Sequence, residues 1–133
     1  MIYKKHFTVV EARAEITNLR HRLIHIHDLL AEIRSLQVRE GSAFLTILRG
    51  NGKGPILDGS APKKETAQRL IEEIAADGIQ IKDLEKGLVD FPHFLNEDEE
   101  HEVFLCWHLG EDTIEFWHEI DDGFSGREPL RKH

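Results

Sequence analysis

The stretch "GIQIKDLEKGLVDFP", residues 78–92, is where the chain changes its period. Upstream of it apolar residues recur three or four apart, and from Ile79 onward they recur every second residue, as half-buried strands require. Gly78 stands where a left-handed residue would close a helix. We read Ile79–Lys82 and Gly87–Phe91 as strands, separated by a turn near Asp83–Lys86. Within the second of these, Asp90 is enclosed by Leu88, Val89 and Phe91. A carboxylate in such a run is costly unless something pairs with it.

On the upstream side, Thr8-Val9-Val10-Glu11 is a capping box preceded by Phe7, so a helix is expected to start at about residue 8. From there Ala12, Ile16, Leu19, Leu23, Ile26, Leu30 and Ile33 follow alternating spacings of four and three. That is a long amphipathic helix over 8–40 with a heptad seam. A shorter helix is expected over 62–77, with Ala67, Leu70, Ile71, Ile74 and Ala75 as its apolar stripe. It is half the length of the first, so the remaining seam asks for cover from the sheet or from a second copy, and a homodimer through the long helix is the expected partner. Residues 41–61, with "GNGKGPILDGSAP", read as a loop after an ambiguous apolar stretch at Ala43–Leu48. The "GNGKG" run lacks the spacing and strand-to-helix context of a phosphate loop.

On the downstream side, Glu102–Leu109 and Ile114–Ile120 read as a hairpin. With Glu111-Asp112 as the turn, Leu109 opposes Ile114, Trp107 opposes Phe116, Leu105 opposes His118 and Val103 opposes Ile120. His118 is then the one titratable side chain on the face expected to pack against the helices. Cys106 falls on the opposite face, with Trp117 across from it. The acidic "NEDEE" of residues 96–100 reads as a solvated connection, and 121–133 as a tail.

A chain of 133 residues with a single cysteine is expected to form one domain without disulfides. No apolar signal stretch opens it and no run of about 18 apolar residues occurs, so the expected location is cytoplasmic, without membrane spans. The net charge of −8 is uneven. Residues 1–60 carry nine Lys/Arg against six Asp/Glu, whereas residues 61–133 carry eight against nineteen. Nucleic acid is not the expected ligand, because phosphate contacts need a basic stripe.

The chemistry-bearing candidates are few. A buried imidazole stays charged only beside an anion, which makes Asp90 the natural companion of His118, as an internal brace or as an acid–base or metal-ligating pair. If Asp90 takes the other face it meets Cys106 and Trp117 instead. The catalytic candidates are Asp90, His118, Cys106 and Arg127, and the metal-ligand candidates are Asp83, Asp90, His118 and Glu119. A weaker ligand stripe, His21, His25, Asp28 and Glu32, lies opposite the helical seam and reads as a solvated face. No cofactor is identified, although a divalent metal suits these groups. Arg127 is expected to pin the tail to Asp121, Asp122 or Asp90, or to clamp an acidic ligand.

The motifs "FTVVEA" (7–12), "IKDLEKGLVDFP" (81–92), "LCWHLGE" (105–111) and "FWHEIDDGFSGREP" (116–129) together resemble the bacterial family called domain of unknown function 2203. The resemblance covers most of the chain and brings no assigned activity. By position it singles out Asp83, Gly87, Asp90, Phe91 and Pro92, then Cys106, Trp107 and Glu111, then Trp117, His118, Gly123, Phe124, Gly126 and Arg127. The helix-one histidines lie outside it.

The expected architecture is α+β: a long N-terminal helix and a shorter second helix packed with a small antiparallel sheet of three to four strands. The leading functional expectation is a non-enzymatic cytosolic module that self-associates. The alternative is a small enzyme or metal-binding protein with its site around Asp90 and His118.

Overall fold

A computed structural model of the chain describes residues 2–39, 59–97 and 100–130. The loop expected at 41–61 lies mostly outside them, as do Ala43–Leu48 and part of the acidic run at 96–100.

Helix α1 spans Val9–Arg39. Its start is set by the capping box, in which the Thr8 hydroxyl accepts the Glu11 amide at 3.0 Å and the Glu11 carboxylate accepts the Thr8 amide at 2.9 Å. Hydrogen bonding by the Thr8 amide, and then by the Thr8 side chain, holds the Glu11 carboxyl below its ordinary pKa. Helix α2 spans Ala61–Ala76 and ends in a Schellman motif. Gly78, at φ +92°, donates to the Ala75 carbonyl, and Ile79 donates to that of Ile74.

Two compact units make up the structure, Met1–Leu23 with Glu73–His133, and Ile24–Glu72. In the second, Ile26, Leu29, Ile33 and Ala67 are buried, and Lys63 meets Glu32 at 2.8 Å. In the first, Ala12, Ile16, Leu19 and Leu23 are buried. The seam is thus covered within a single chain. After Ile26 the buried position is Leu29, and Leu30 is only half-buried. Among the described residues no helix is long and apolar enough to cross a membrane.

The α+β expectation holds, with five strands rather than three or four. The strands β1 Gln80–Asp83, β2 Leu88–Phe94, β3 Glu102–His108, β4 Phe116–Glu119 and β5 Glu128–Pro129 form an antiparallel meander in chain order. The added strand comes from the expected tail, where Glu128 and Pro129 pair with Trp117 and Phe116. Gly87 enters β2 at φ +66°, so close to the next turn that a Cβ there would lie 2.6 Å from Leu109 Cβ. Leu109 N in turn donates to the Gly87 carbonyl.

The hairpin register differs by one residue from the expectation. His118 pairs with Phe104, Trp117 with Leu105 and Phe116 with Cys106. Seven residues, not two, separate β3 from β4, because the Glu111 side chain folds back to accept the His108 amide at 2.9 Å. A one-residue slip exchanges the faces of every side chain in a strand. Val89, Phe91, Val103, Leu105 and Trp107 therefore share the helix-facing side, where Phe91 meets Phe7 edge-on and Arg20 of α1 lies over Trp107. Arg13 fastens α1 to the same side through the Ile114 carbonyl. His118 faces away from α1, contrary to expectation.

The other side of the sheet is covered by the N-terminal segment. Beyond the short β1, the edge of β2 is open, and Phe7 N donates there to the Pro92 carbonyl. Glu102 of β3 then accepts the Ile2 and Tyr3 amides and meets His6 at 2.6 Å, while His6 stacks on Phe94 and Tyr3 packs on Phe104.

Candidate functional site

Alternation along β2, β3 and β4 brings Asp90, Cys106 and His118 to the face turned away from α1. Asp90 pairs directly with Cys106, and His118, one strand further, is diagonal to it. The three are 2%, 0% and 1% exposed, respectively. Their donor atoms, one from each side chain, all lie within 4.8 Å of one another. Among the described residues no other group of three His, Cys, Asp or Glu side chains is close enough to share an ion.

His118 is locked in orientation. Its Nδ1 donates to the Glu119 carbonyl at 2.7 Å, and its Nε2 lies 3.0 Å from Asp90 Oδ1. A carbonyl only accepts, so Nδ1 carries a proton; the carboxylate opposite Nε2 calls for a second one. Burial is the largest influence on the ring and lowers its pKa. The Asp90 hydrogen bond, the Cys106 thiol, the Glu119 carbonyl and the negative charge of Asp90 together outweigh it and push the value up to about 10. The centre is thus an imidazolium–carboxylate pair that ties β2 to β4 across β3.

Beside the pair is a small cavity of about 240 Å³. Asp90 and His118 are among its lining residues, and Leu88, Phe104, Ile120 and Phe124 supply its apolar surface. Lys82 also lines it, with its Nζ 4.6 Å from the centroid of the Phe104 ring, as do Asp121 and Asp122.

Asp90 and His118 do meet, as the isolated polar positions suggest, and Cys106 joins them because of the register change. Asp83 stays outside, accepting the Lys86 amide in the β1–β2 turn. The Glu119 carboxylate points away and meets His101 at 2.7 Å; only its backbone carbonyl serves the centre. Arg127 pins the tail, but to Glu111 at 2.6 Å rather than to Asp90, Asp121 or Asp122. It also donates to the Cys106 carbonyl at 3.2 Å, with the Phe116 and Phe124 rings flanking its guanidinium at 4.2 and 4.6 Å. His21, His25, Asp28 and Glu32 are all exposed, in keeping with a solvated stripe.

Lys82, Tyr3 and Glu102 were not foreseen. Lys82 lay beyond pattern reasoning, because the β1–β2 register shifts between Ile81 and Asp83 and simple alternation does not carry across such a bulge. Nothing local marks Glu102, whose partners lie some hundred residues earlier in the chain.

No curated protein and no solved structure matches the chain. A family model described as "Uncharacterized conserved protein (DUF2203)" matches residues 5–130, the span that contains the sheet and all three residues of the centre. The chain therefore belongs to the DUF2203 family.

Proposed function

We propose that the protein is a metal-binding module whose centre is Asp90, Cys106 and His118. The observation that carries this reading is the convergence of a carboxylate, a thiol and an imidazole, all buried, within 4.8 Å. The hydrogen bond behind the His118 ring supports it too. An imidazole that ligates through one nitrogen usually donates the other N–H to a carbonyl or carboxylate, and Nδ1 of His118 does so to Glu119. In the metal-free chain a proton on Nε2 occupies the place of the ion.

A mixed oxygen, sulfur and nitrogen donor set suits zinc, or cobalt in its stead, rather than magnesium or calcium. Three protein donors leave one position of a tetrahedral ion open, the pattern of reactive rather than purely structural zinc. Acid–base catalysis by His118 alone is less well supported, because both ring nitrogens are held within the fold, by the Glu119 carbonyl and by Asp90. Pairing of two copies through α1 loses its driving force, since the seam is buried in one chain.

Zinc titration of the purified chain against a chromophoric chelator tests the proposal. We expect one equivalent per chain, and a stabilisation of about 2.7 kcal/mol when free metal exceeds Kd a hundredfold. Cys106→Ala and Asp90→Ala should each abolish stoichiometric binding. Absence of binding to the unaltered chain would leave the Asp90–His118 pair as a brace only.

A further inference from the structure

We infer that the cavity beside the centre is the route by which the ion reaches Asp90 and His118, drawn in by the carboxylates of Asp121 and Asp122 and opposed by the Lys82 ammonium. The inference rests on the metal reading above and adds how the buried site is loaded.

A metal centre shielded from solvent needs an entry path. The helix-facing side of the sheet offers none, since Phe91, Leu105 and Trp107 are wholly buried there. On the other side the cavity joins the two extremes of exposure. The almost wholly buried Asp90 and His118 line it together with Phe124, which is 48% exposed, and with Asp121 and Asp122, both exposed. Its volume of about 240 Å³ equals about eight waters at about 30 Å³ each, enough for a dication that still carries its inner water shell. Cys106 is not in the lining. Asp90 and His118 therefore meet an incoming ion first, and the thiol, whose sulfur lies within 4.8 Å of their donor atoms, closes on it afterwards.

Asp122 is built into the hydrogen bonding of the centre. The Glu119 carbonyl that accepts from His118 Nδ1 at 2.7 Å also accepts the Asp122 amide at 3.1 Å, so one oxygen atom holds both the imidazole and the backbone of the acid. Further on, the Asp122 side chain lies against Gly126, where a Cβ would fall 2.5 Å from Asp122 Cβ and 3.2 Å from Oδ2. The bare backbone at 126 is what leaves room for the carboxylate.

The sign of the charge selects what enters. Asp90 and His118 offset one another, and the rest of the lining carries two carboxylates against one ammonium. A cleft with an excess of one charge between apolar walls, here Leu88, Phe104 and Ile120, concentrates ions of the opposite sign and speeds their capture. Lys82, with its Nζ 4.6 Å from the Phe104 centroid, works against that capture.

Stopped-flow mixing of the metal-stripped chain with cobalt(II) provides the test, because the thiolate charge-transfer band of Cys106 marks the ion's arrival at the full ligand set. At about 0.01 M salt charges act over about 30 Å. There we expect Asp121→Asn with Asp122→Asn to load at least about threefold more slowly than the unaltered chain, and Lys82→Met to load faster. At about 1 M salt the range falls to about 3 Å, and the rates should converge. Asp28→Asn with Glu65→Gln removes the same charge from exposed helix positions and should load like the unaltered chain. All variants should reach the same final band, which separates slow loading from a damaged centre. Equal rates for the cavity pair and the unaltered chain at low salt, equal slowing by the helix pair, or slower loading of Lys82→Met would each overturn the route while leaving the metal centre standing. Lack of the charge-transfer band in the unaltered chain would overturn the metal centre itself, and the route with it.

Discussion

His118 on β4 reaches past β3 to place its Nε2 3.0 Å from Asp90 Oδ1 on β2, with both side chains almost wholly shielded from water. Neither residue is tolerable there alone. Opposite charges in so dry a place hold each other strongly, and removing one leaves the other uncompensated.

In the presence of a chelator, Asp90→Ala and His118→Ala should therefore each lower stability by about 3–5 kcal/mol. The double variant should cost clearly less than the two together, because the second substitution removes the orphan created by the first. Urea denaturation of the four proteins measures the coupling. Strictly additive losses would show that the two groups do not stabilise one another.

Arg127 acts through shape as well as charge. Its guanidinium lies between the Phe116 and Phe124 rings while bonding to Glu111 and to the Cys106 carbonyl. Lysine retains the charge but neither the planar stack nor the forked donors. We expect Arg127→Lys to cost about 1–2 kcal/mol, with β5 exchanging its amide hydrogens faster. An unchanged thermal midpoint would contradict this account.

The N-terminal segment should be sensitive to acid. Burial raises the Glu102 pKa, but the Ile2 and Tyr3 amides and the His6 contact outweigh it and hold the carboxyl below its ordinary value of 4.5. A carboxyl depressed in the folded state contributes stability above its unfolded pKa, and that contribution is lost as pH falls through the folded value. Stability should fall below about pH 4.5, more steeply than in Glu102→Gln. Denaturation curves collected downward from neutrality would show the difference, and parallel curves would exclude Glu102 as its source.

Gly87→Ala should weaken the turn that positions Asp90. The left-handed backbone alone costs a residue with a Cβ about 1–2 kcal/mol, and the new methyl would press on Leu109 Cβ. Chemical denaturation should register at least that loss. A neutral substitution would mean that the β1–β2 turn and the Leu109 turn are free to move apart.

Much of the secondary structure was legible because it is local. Thr8 and Glu11 are three residues apart, and Gly78 closes α2 through carbonyls within five residues, so both helix ends could be found without a tertiary contact. The suspicion attached to Asp90 and His118 was legible as well, since a polar group inside an apolar run is conspicuous in any fold. The register of the last hairpin was not. It depends on Glu111 turning inward to the His108 amide, and on Arg127, sixteen residues later, holding it there.

The chain alone therefore determined two helices, the change to strands after Gly78, and the two ionisable residues that had to find one another. Tertiary structure alone decided which face they occupy, that Cys106 joins them, and that Lys82 lines the cavity beside them. The physical reason is the two-residue period of a strand. Pattern states that alternate residues share a side, but only the paired neighbour, fixed here by contacts distant in sequence, states which side it is.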